Sequence, residues 1–428
     1  MSFITELIFQ QLLGFKIRLT NSVDDFQLSD AVRINYSTNS DLPGCQVVPS
    51  GLLFEKEIRP VTASLGKPWK GIPSILLDDT KEFDVLSASF YLVSRYEEYL
   101  PFEKDVHDRF TAEQSCLTRL DLLERPLVNE WANALLVYLH SCHPELETSP
   151  RKFQFLSTID IDQAWKYRNK GFLRTVGGLF RDVIKGDWLE IKERFLVLIG
   201  KKEDPFFNFD WQDRLHKNSS TKVQYFIQVG SRGKFDKNTS LENAEFQLLI
   251  KRLSNTHSIG IHPSYQSNYK PELVRQEHHA LENVIADDVE VSRQHFLMHE
   301  MPQTYQRLLD SGIREDHTMG YSTHLGFRAG IAAPFSFFDL TKNKMTKLVL
   351  IPFCCMDITP LHYLEQSPKQ AIETIQSLLD KVHAVNGLFV SLWHNESLSE
   401  SGRWAGWRVV YDQLVSSAIN LGNDDDHA

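Results

Sequence analysis

From residue 152 onward, short apolar runs alternate with segments whose apolar residues recur every three or four positions. The runs predict strands over 152–159 (KFQFLSTI), 222–230 (KVQYFIQVG), 258–263 (SIGIHP), 347–355 (KLVLIPFCC) and 387–395 (GLFVSLWHN). Helical spacing falls between them, near 247, 279, 303 and 369. The last of these places Ile372, Ile375, Leu379 and Val382 on one face and stops at Asn386 and Gly387. Strand then helix, repeated, predicts a parallel sheet or barrel with helices outside. In such folds the chemistry gathers at the carboxyl ends of the strands.

The first third is patterned differently. ITELIFQQLLGF, FDVLSASFYLVSRYEEYL and ERPLVNEWANALLVYLHS have helical stripes, while AVRINYS and QVVPSGLLF suggest short strands. Prolines and charges in HPELETSPRK suit a boundary, dividing the chain into a smaller α/β domain over 1–147 and a second domain over 148–428. The tail GNDDDHA is expected to be disordered.

Composition narrows the class. With 428 residues, 42% hydrophobic, and 27 phenylalanines, the chain can fill two cores. A net charge of -10 without a basic stripe argues against a nucleic-acid partner. The densest basic stretch, Lys185 to Lys202, interleaves Asp187, Glu190 and Glu193 and reads as a solvated helical face. The start MSFITELIFQQLLGFK has no basic lead before an apolar core, and no apolar run approaches membrane-spanning length. A cytoplasmic protein with no membrane span is therefore expected. Five cysteines without CxxC spacing fit a reduced compartment, with Cys354 and Cys355 as core residues.

The polar residues that interrupt the strand pattern carry the candidate chemistry. FQFLSTIDIDQAW ends a strand on Asp160 and Asp162, which alternation places on one side, close enough to repel. The next strands end in His262 and in His394 with Asn395. Each has a plain reading: loop acids capping the next helix, a turn histidine before Pro263, a helix cap in His394-Asn395-Glu396-Ser397. Together on one rim they are the parts of metal-assisted hydrolysis. Asp357 reads first as the cap of ITPLHY and second as a further rim acid; Asp316 and Arg328 either pair at the mouth or brace loops. Among Trp165, Trp393, Trp404 and Trp407, Trp393 beside His394 is the candidate for stacking on a sugar ring.

TIDID at 158–162, IGIHPSY at 259–265, SRQHF at 292–296 and LWHNE at 392–396 resemble the successive motifs of the polysaccharide deacetylase family, the nodulation-type carbohydrate esterases acting on N-acetylated sugars. The resemblance extends over most of 150–415. DHTMGY at 316–321 and GFRAGIAAPF at 326–335 resemble a bacterial subgroup that carries a domain of unknown function in front, to which SRYEEY at 94–99 and SGLLFE at 50–55 are similar. The resemblance implies a distorted (β/α)7-type barrel, preceded here by the smaller α/β domain, and metal-dependent removal of an acetyl group by water. By position it implies Asp160 as general base, Asp162 and His262 as metal ligands, Arg293 as the arginine orienting the base and His394 as general acid.

One position departs from that pattern. The family's second metal histidine is expected four residues after the first, where this chain has Gln266, and an amide oxygen is a poor substitute for imidazole on zinc. His295 is the first candidate to complete the set; His257 is second, though it precedes its strand. The expected cofactor is a divalent metal, zinc first, with cobalt, nickel or iron as alternatives. Tyr265, Trp393 and Asn395 are candidate substrate-binding residues for a small-molecule or oligosaccharide substrate, such as a precursor of an envelope polysaccharide. Two other readings keep the same barrel: a catalytically lapsed saccharide-binding or scaffold protein whose N-terminal domain docks protein partners, or a hydrolase of a non-sugar amide such as a cyclic ureide.

Overall fold

A computed structural model describes residues 1–147, 151–217 and 221–427, with side chains to residue 423. The expected domain boundary falls at 148–150, outside the described residues. N-terminal to it are α1 (Ser2–Thr5) running into a π turn over Glu6–Leu12, α2 (Val23–Gln27), β1 (Ile34–Asn35), β2 (Cys45–Gln46), β3 (Ala63–Leu65), β4 (Ile75–Leu77), α3 (Val85–Val93), α4 (Cys116–Arg119) and α5 (Leu127–Cys142). The strands form two two-stranded sheets, β1 with β2 and β3 with β4. Every residue of α3 is buried, as expected of a helix apolar on all sides. The Asp84 side chain caps it, accepting from the amides of Leu86 and Ser87 at 3.1 and 3.0 Å.

These elements share one apolar core with the rest of the chain. Phe3 and Phe90 meet Phe338 at ring-centroid distances of 5.0 and 5.3 Å. A buried ion cluster crosses the same contact: Glu98 accepts two bonds from Arg328, at 2.8 and 2.9 Å, and one from Arg95 at 2.7 Å. Arg95 also donates to the Arg328 carbonyl. All three side chains are fully enclosed. The helix expected through SRYEEY breaks here: Arg95 has φ 52, and a short 3-10 turn follows over Tyr96–Tyr99. That break aims the Arg95 and Glu98 side chains at Arg328.

The remainder is mixed α/β around a large, mostly parallel sheet. In chain order it comprises β5 (Gln154–Ile161), α6 (Phe172–Lys185), α7 (Trp188–Leu198), α8 (Phe209–His216), β6 (Lys222–Ile227), α9 (Ala244–Ser254), β7 (Ser258–Ile261), α10 (Pro271–Ile285), β8 (Val291–Ser292), α11 (Gln303–Asp310), β9 (Glu315–Asp316), β10 (Phe335–Asp339), β11 (Lys344–Leu350), β12 (Cys355–Met356), α12 (Pro368–His383), β13 (Leu388–His394) and α13 (Arg408–His427). The sheet order is β10-β11-β9-β8-β7-β6-β5-β13-β12, parallel except between β10 and β11. The segment from β11 to β12 bonds β9 with its first half and β13 with its second: Ile351 N donates to Asp316 O at 2.9 Å and Cys354 N to Val390 O at 3.1 Å.

Alternation along β5 sorts its side chains. Ile159 and Ile161 join the core beneath the helices, and Ser157 reaches Tyr411 of α13 at 2.6 Å. Thr158, Asp160 and Asp162 take the other side. That inner side holds a separate apolar cluster of Leu297, Ile351, Phe353, Val390 and Leu392.

Three further expectations differ from the structure. The two-residue strands β8 and β9 carry no readable period, and β10 (FSFFD) was not expected as a strand. The tail expected to be disordered continues α13 to His427. The stretch Lys185 to Lys202 is no charged face: Trp188, Leu189, Phe195, Leu198 and Ile199 point outward, while Arg194 is buried. Among the described residues, no helix is long and apolar enough to cross a membrane.

Candidate functional site

Asp160 and Asp162 leave the end of β5 on its inner side, and Asp160 stands in register beside His394 on β13. His262 follows β7. Its Nδ1 donates to the Arg293 carbonyl at 2.6 Å, so its Nε2 faces the carboxylates, 3.4 Å from Asp162 Oδ1 and 3.7 Å from Asp160 Oδ2. His295 lies on the turn after β8. Asp236 Oδ1 sits 2.9 Å from its Nδ1, leaving Nε2 3.5 Å from Asp162 Oδ2. Ligand atoms of Asp162, His262 and His295 all lie within 4.8 Å of one another.

Those residues fit a divalent cation. Asp162 Oδ1 is buried and has no hydrogen-bond partner, which is costly for a carboxylate unless a cation answers it. Two imidazoles and a carboxylate form a three-donor set that leaves a coordination position open. Burial pushes the Asp162 carboxyl up, but His295, His262 and His394 together hold it well below the usual carboxylate range. His295 is lowered by burial and raised more strongly by Asp162 and Asp236, to about 9.

Two proton-handling groups flank the cluster. Asp160 accepts from Arg293 Nη1 at 2.8 Å; that arginine is wholly buried, donates through Nε to the His317 carbonyl at 3.0 Å, and lies 4.3 Å over the Phe226 ring. His394 has Nδ1 3.0 and 3.1 Å from the two oxygens of Asp357, and its Nε2 is 4.0 Å from Asp162 Oδ2. Burial lowers His394, while Asp357, with Asp162 and Asp160, raises it to about 10. The paired Asp357 carboxylate thus favours the protonated imidazole. A cavity of about 260 Å³ opens over these groups, with Glu396, Trp404 and, from the N-terminal part, His107 and Arg109 in its wall.

Residues 1–144 match the model of a family described as a family of unknown function, DUF7033. No curated protein matches the chain. Solved structures similar to it include three at 9–14% identity. A Mycobacterium smegmatis protein assigned to the polysaccharide deacetylases is 14% identical, with 64% of this chain and 86% of that one covered and a TM-score of 0.42. A polysaccharide deacetylase from Bacillus cereus is 13% identical, with 62% and 88% covered and a TM-score of 0.30. Puue allantoinase is 9% identical, with 64% and 89% covered and a TM-score of 0.38. At these scores the similarities do not specify an activity.

The structure brings Asp160, Asp162, His262, Arg293, His295 and His394 to one place. The three candidate substrate-binding residues stand elsewhere. Trp393 is fully buried on the opposite side of β13, 4.9 Å from the Tyr411 ring, because neighbours on a strand face opposite ways. Trp404 is the tryptophan in the cavity wall. Asn395 is buried and ties loops together through the carbonyls of Gln163 and Phe206, at 2.9 and 2.8 Å. Tyr265 is buried behind the wall, 3.1 Å from His107 Nδ1. Gln266 lies against Gly233, outside the cluster, and His257 pairs with Asp213 at 3.1 Å before its strand begins. Asp316 and Arg328 do not pair: Asp316 accepts from Ser292 and Thr318, and Arg328 turns to Glu98.

Asp357, expected first as a cap and second as a rim acid, stands at the rim, where its carboxylate holds His394. Asp236 sits in the loop GKFDK with no pattern to mark it. Its role is testable: Asp236→Asn is expected to weaken metal binding about 10- to 100-fold, read by competition with a chromogenic chelator. Unchanged affinity would mean that Asp236 does not orient His295.

Proposed function

We propose that the chain is a metal-dependent deacetylase that hydrolyses the N-acetyl group of an N-acetylated sugar or polysaccharide precursor. The reading is supported above all by one juxtaposition: the Asp162, His262 and His295 donor set lies between an arginine-held carboxylate and a carboxylate-held histidine. We read the bonding of β11 and β12 to both β9 and β13 as the closure of a distorted (β/α)7-type barrel. The metal is taken as zinc, with cobalt, nickel or iron as alternatives.

Asp162, His262 and His295 would hold the metal, which supplies positive charge to polarise an amide carbonyl and acidify water. Arg293 fixes one Asp160 oxygen at 2.8 Å, leaving the other free to take a proton. His394, protonated through Asp357, can give its Nε2 proton to the leaving nitrogen, which departs poorly as an anion. His295 would supply the donor that Gln266 does not, which speaks against the reading of a lapsed enzyme.

Acetate release from a panel of N-acetylhexosamines and their nucleotide conjugates, with zinc restored, is expected to identify at least one substrate. Asp357→Asn is expected to slow that release about 100-fold with metal content unchanged, the usual size of a general acid's contribution. Stoichiometric metal with no acetate release from any sugar, but hydrolysis of a cyclic ureide, would favour the non-sugar amide. No hydrolysis of either would favour a binding protein.

A further inference from the structure

The hairpin of α6 and α7 is built inside out. The one buried residue of α6 is Asp182, and α7 buries Arg194 and Val197. Asp182 accepts from Arg194 at 2.6 and 3.0 Å, and that guanidinium lies 4.7 Å over the Tyr167 ring. A Cβ at Gly178 would come within 2.9 Å of Arg194 Nη1, so the absent side chain lets the arginine in. Lys166 completes the polar interior with bonds to Glu190 and Glu193 at 2.7 and 3.1 Å. The outer face is the reverse: Phe172 is 81% exposed, Leu173 85%, Ile184 70%, Trp188 71% and Leu189 82%, with Phe180 and Phe195 beside them. A hairpin meant for water turns its apolar stripe inward. An apolar patch of this extent marks an interaction surface.

Charge identifies the occupant. Residues 166–202 contain ten Lys and Arg against four Asp and Glu, in a chain of net charge -10. Among the described residues, Arg168, Arg174, Lys185, Lys192 and Lys201 form no ion pair with a carboxylate. A second copy docked through the same face would set two basic hairpins against each other. Apolar side chains with an exposed tryptophan, fringed by unpaired cations, suit the headgroup region of an anionic bilayer.

We propose that the α6–α7 hairpin docks the protein peripherally on an anionic lipid surface. The hairpin begins ten residues after Asp162, and Ser401, which donates to Glu193 at 2.8 Å, precedes the cavity residues Arg403 and Trp404. Docking therefore brings the cavity beside the membrane. Resting on the deacetylase reading, the corollary is that the substrate is an N-acetylated sugar carried on a lipid.

The test uses the full chain, with no sugar present, so it can fail independently of the deacetylase reading. Sedimentation is compared with vesicles of phosphatidylcholine alone and of phosphatidylcholine and phosphatidylglycerol in a two-to-one ratio. The chain is expected to pellet with the anionic vesicles, with Trp188 emission shifting to the blue. Phe180→Glu combined with Ile184→Glu is expected to cut binding at least tenfold with the melting temperature unchanged. Lys185→Glu with Lys192→Glu should weaken binding to the anionic vesicles. Equal, negligible pelleting with both vesicle types overturns the proposal. So does a hairpin variant that converts a dimer to a monomer while wild-type protein ignores vesicles, which would assign the face to a second copy.

Discussion

Replacing Asp162 with alanine is expected to remove bound metal and to lower acetate release by on the order of 10³-fold or more, since a cation contributes several kcal/mol and about 1.4 kcal/mol is a factor of ten. The change deletes the one carboxylate whose oxygens face both His262 and His295, at 3.4 and 3.5 Å. Because, against the upward push of burial, His295, His262 and His394 hold the Asp162 carboxyl well below the usual range, its loss should lower the melting temperature of metal-free protein, so metal content is assayed on variant shown to be folded. His295→Ala is expected to lose metal in the same way, whereas Gln266→Ala should keep it. The reverse result for that pair would return the third ligand to the position where the family resemblance expects it.

Glu98→Ala is expected to destabilise the chain by about 3 to 5 kcal/mol, the usual cost of leaving a buried ion uncompensated. Here two guanidiniums, Arg95 and Arg328, lose their shared carboxylate inside a fully enclosed contact. The midpoint of urea unfolding should move to lower concentration. Replacing Glu98 and Arg328 with methionine should recover part of the loss, because Arg95 keeps its pair with Glu97 at 2.9 Å and no guanidinium is left without a carboxylate. A Glu98→Ala midpoint equal to wild type would mean that water reaches the cluster. The cluster joins SRYEEY to the GFRAGIAAPF segment, so the same measurement reports how firmly the N-terminal part is held against the sheet that carries the site.

What could be read from sequence followed period. β5, β6, β7 and β13 have runs long enough to show, and the two-residue alternation that put Asp160 and Asp162 on one side is the alternation that turns Ile159 and Ile161 into the outer core. The same rule, applied to Trp393, would have turned it away from His394; adjacency in sequence misled because neighbours on a strand face opposite ways. β8 and β9 are two residues long and set by their partners, so no local signal marks them. Glu396 and Trp404 reach the cavity from the segment after β13, Asp236 holds His295 from a loop, and His107 and Arg109 come from the other end of the chain. No periodicity encodes such long-range placement. The α6–α7 stretch showed its charges plainly but hid their direction, because ion pairs formed inside the hairpin reverse the usual assignment of faces.

The most direct test is anomalous diffraction from zinc-loaded crystals at the zinc edge. The donor set predicts one peak bonded to Asp162 oxygen and to the Nε2 atoms of His262 and His295, at about 2.0 to 2.2 Å. A peak instead at His278, His279 and Glu282 on α10, the other such group among the described residues, or no peak in otherwise ordered protein, would contradict a metal centre at the end of β5.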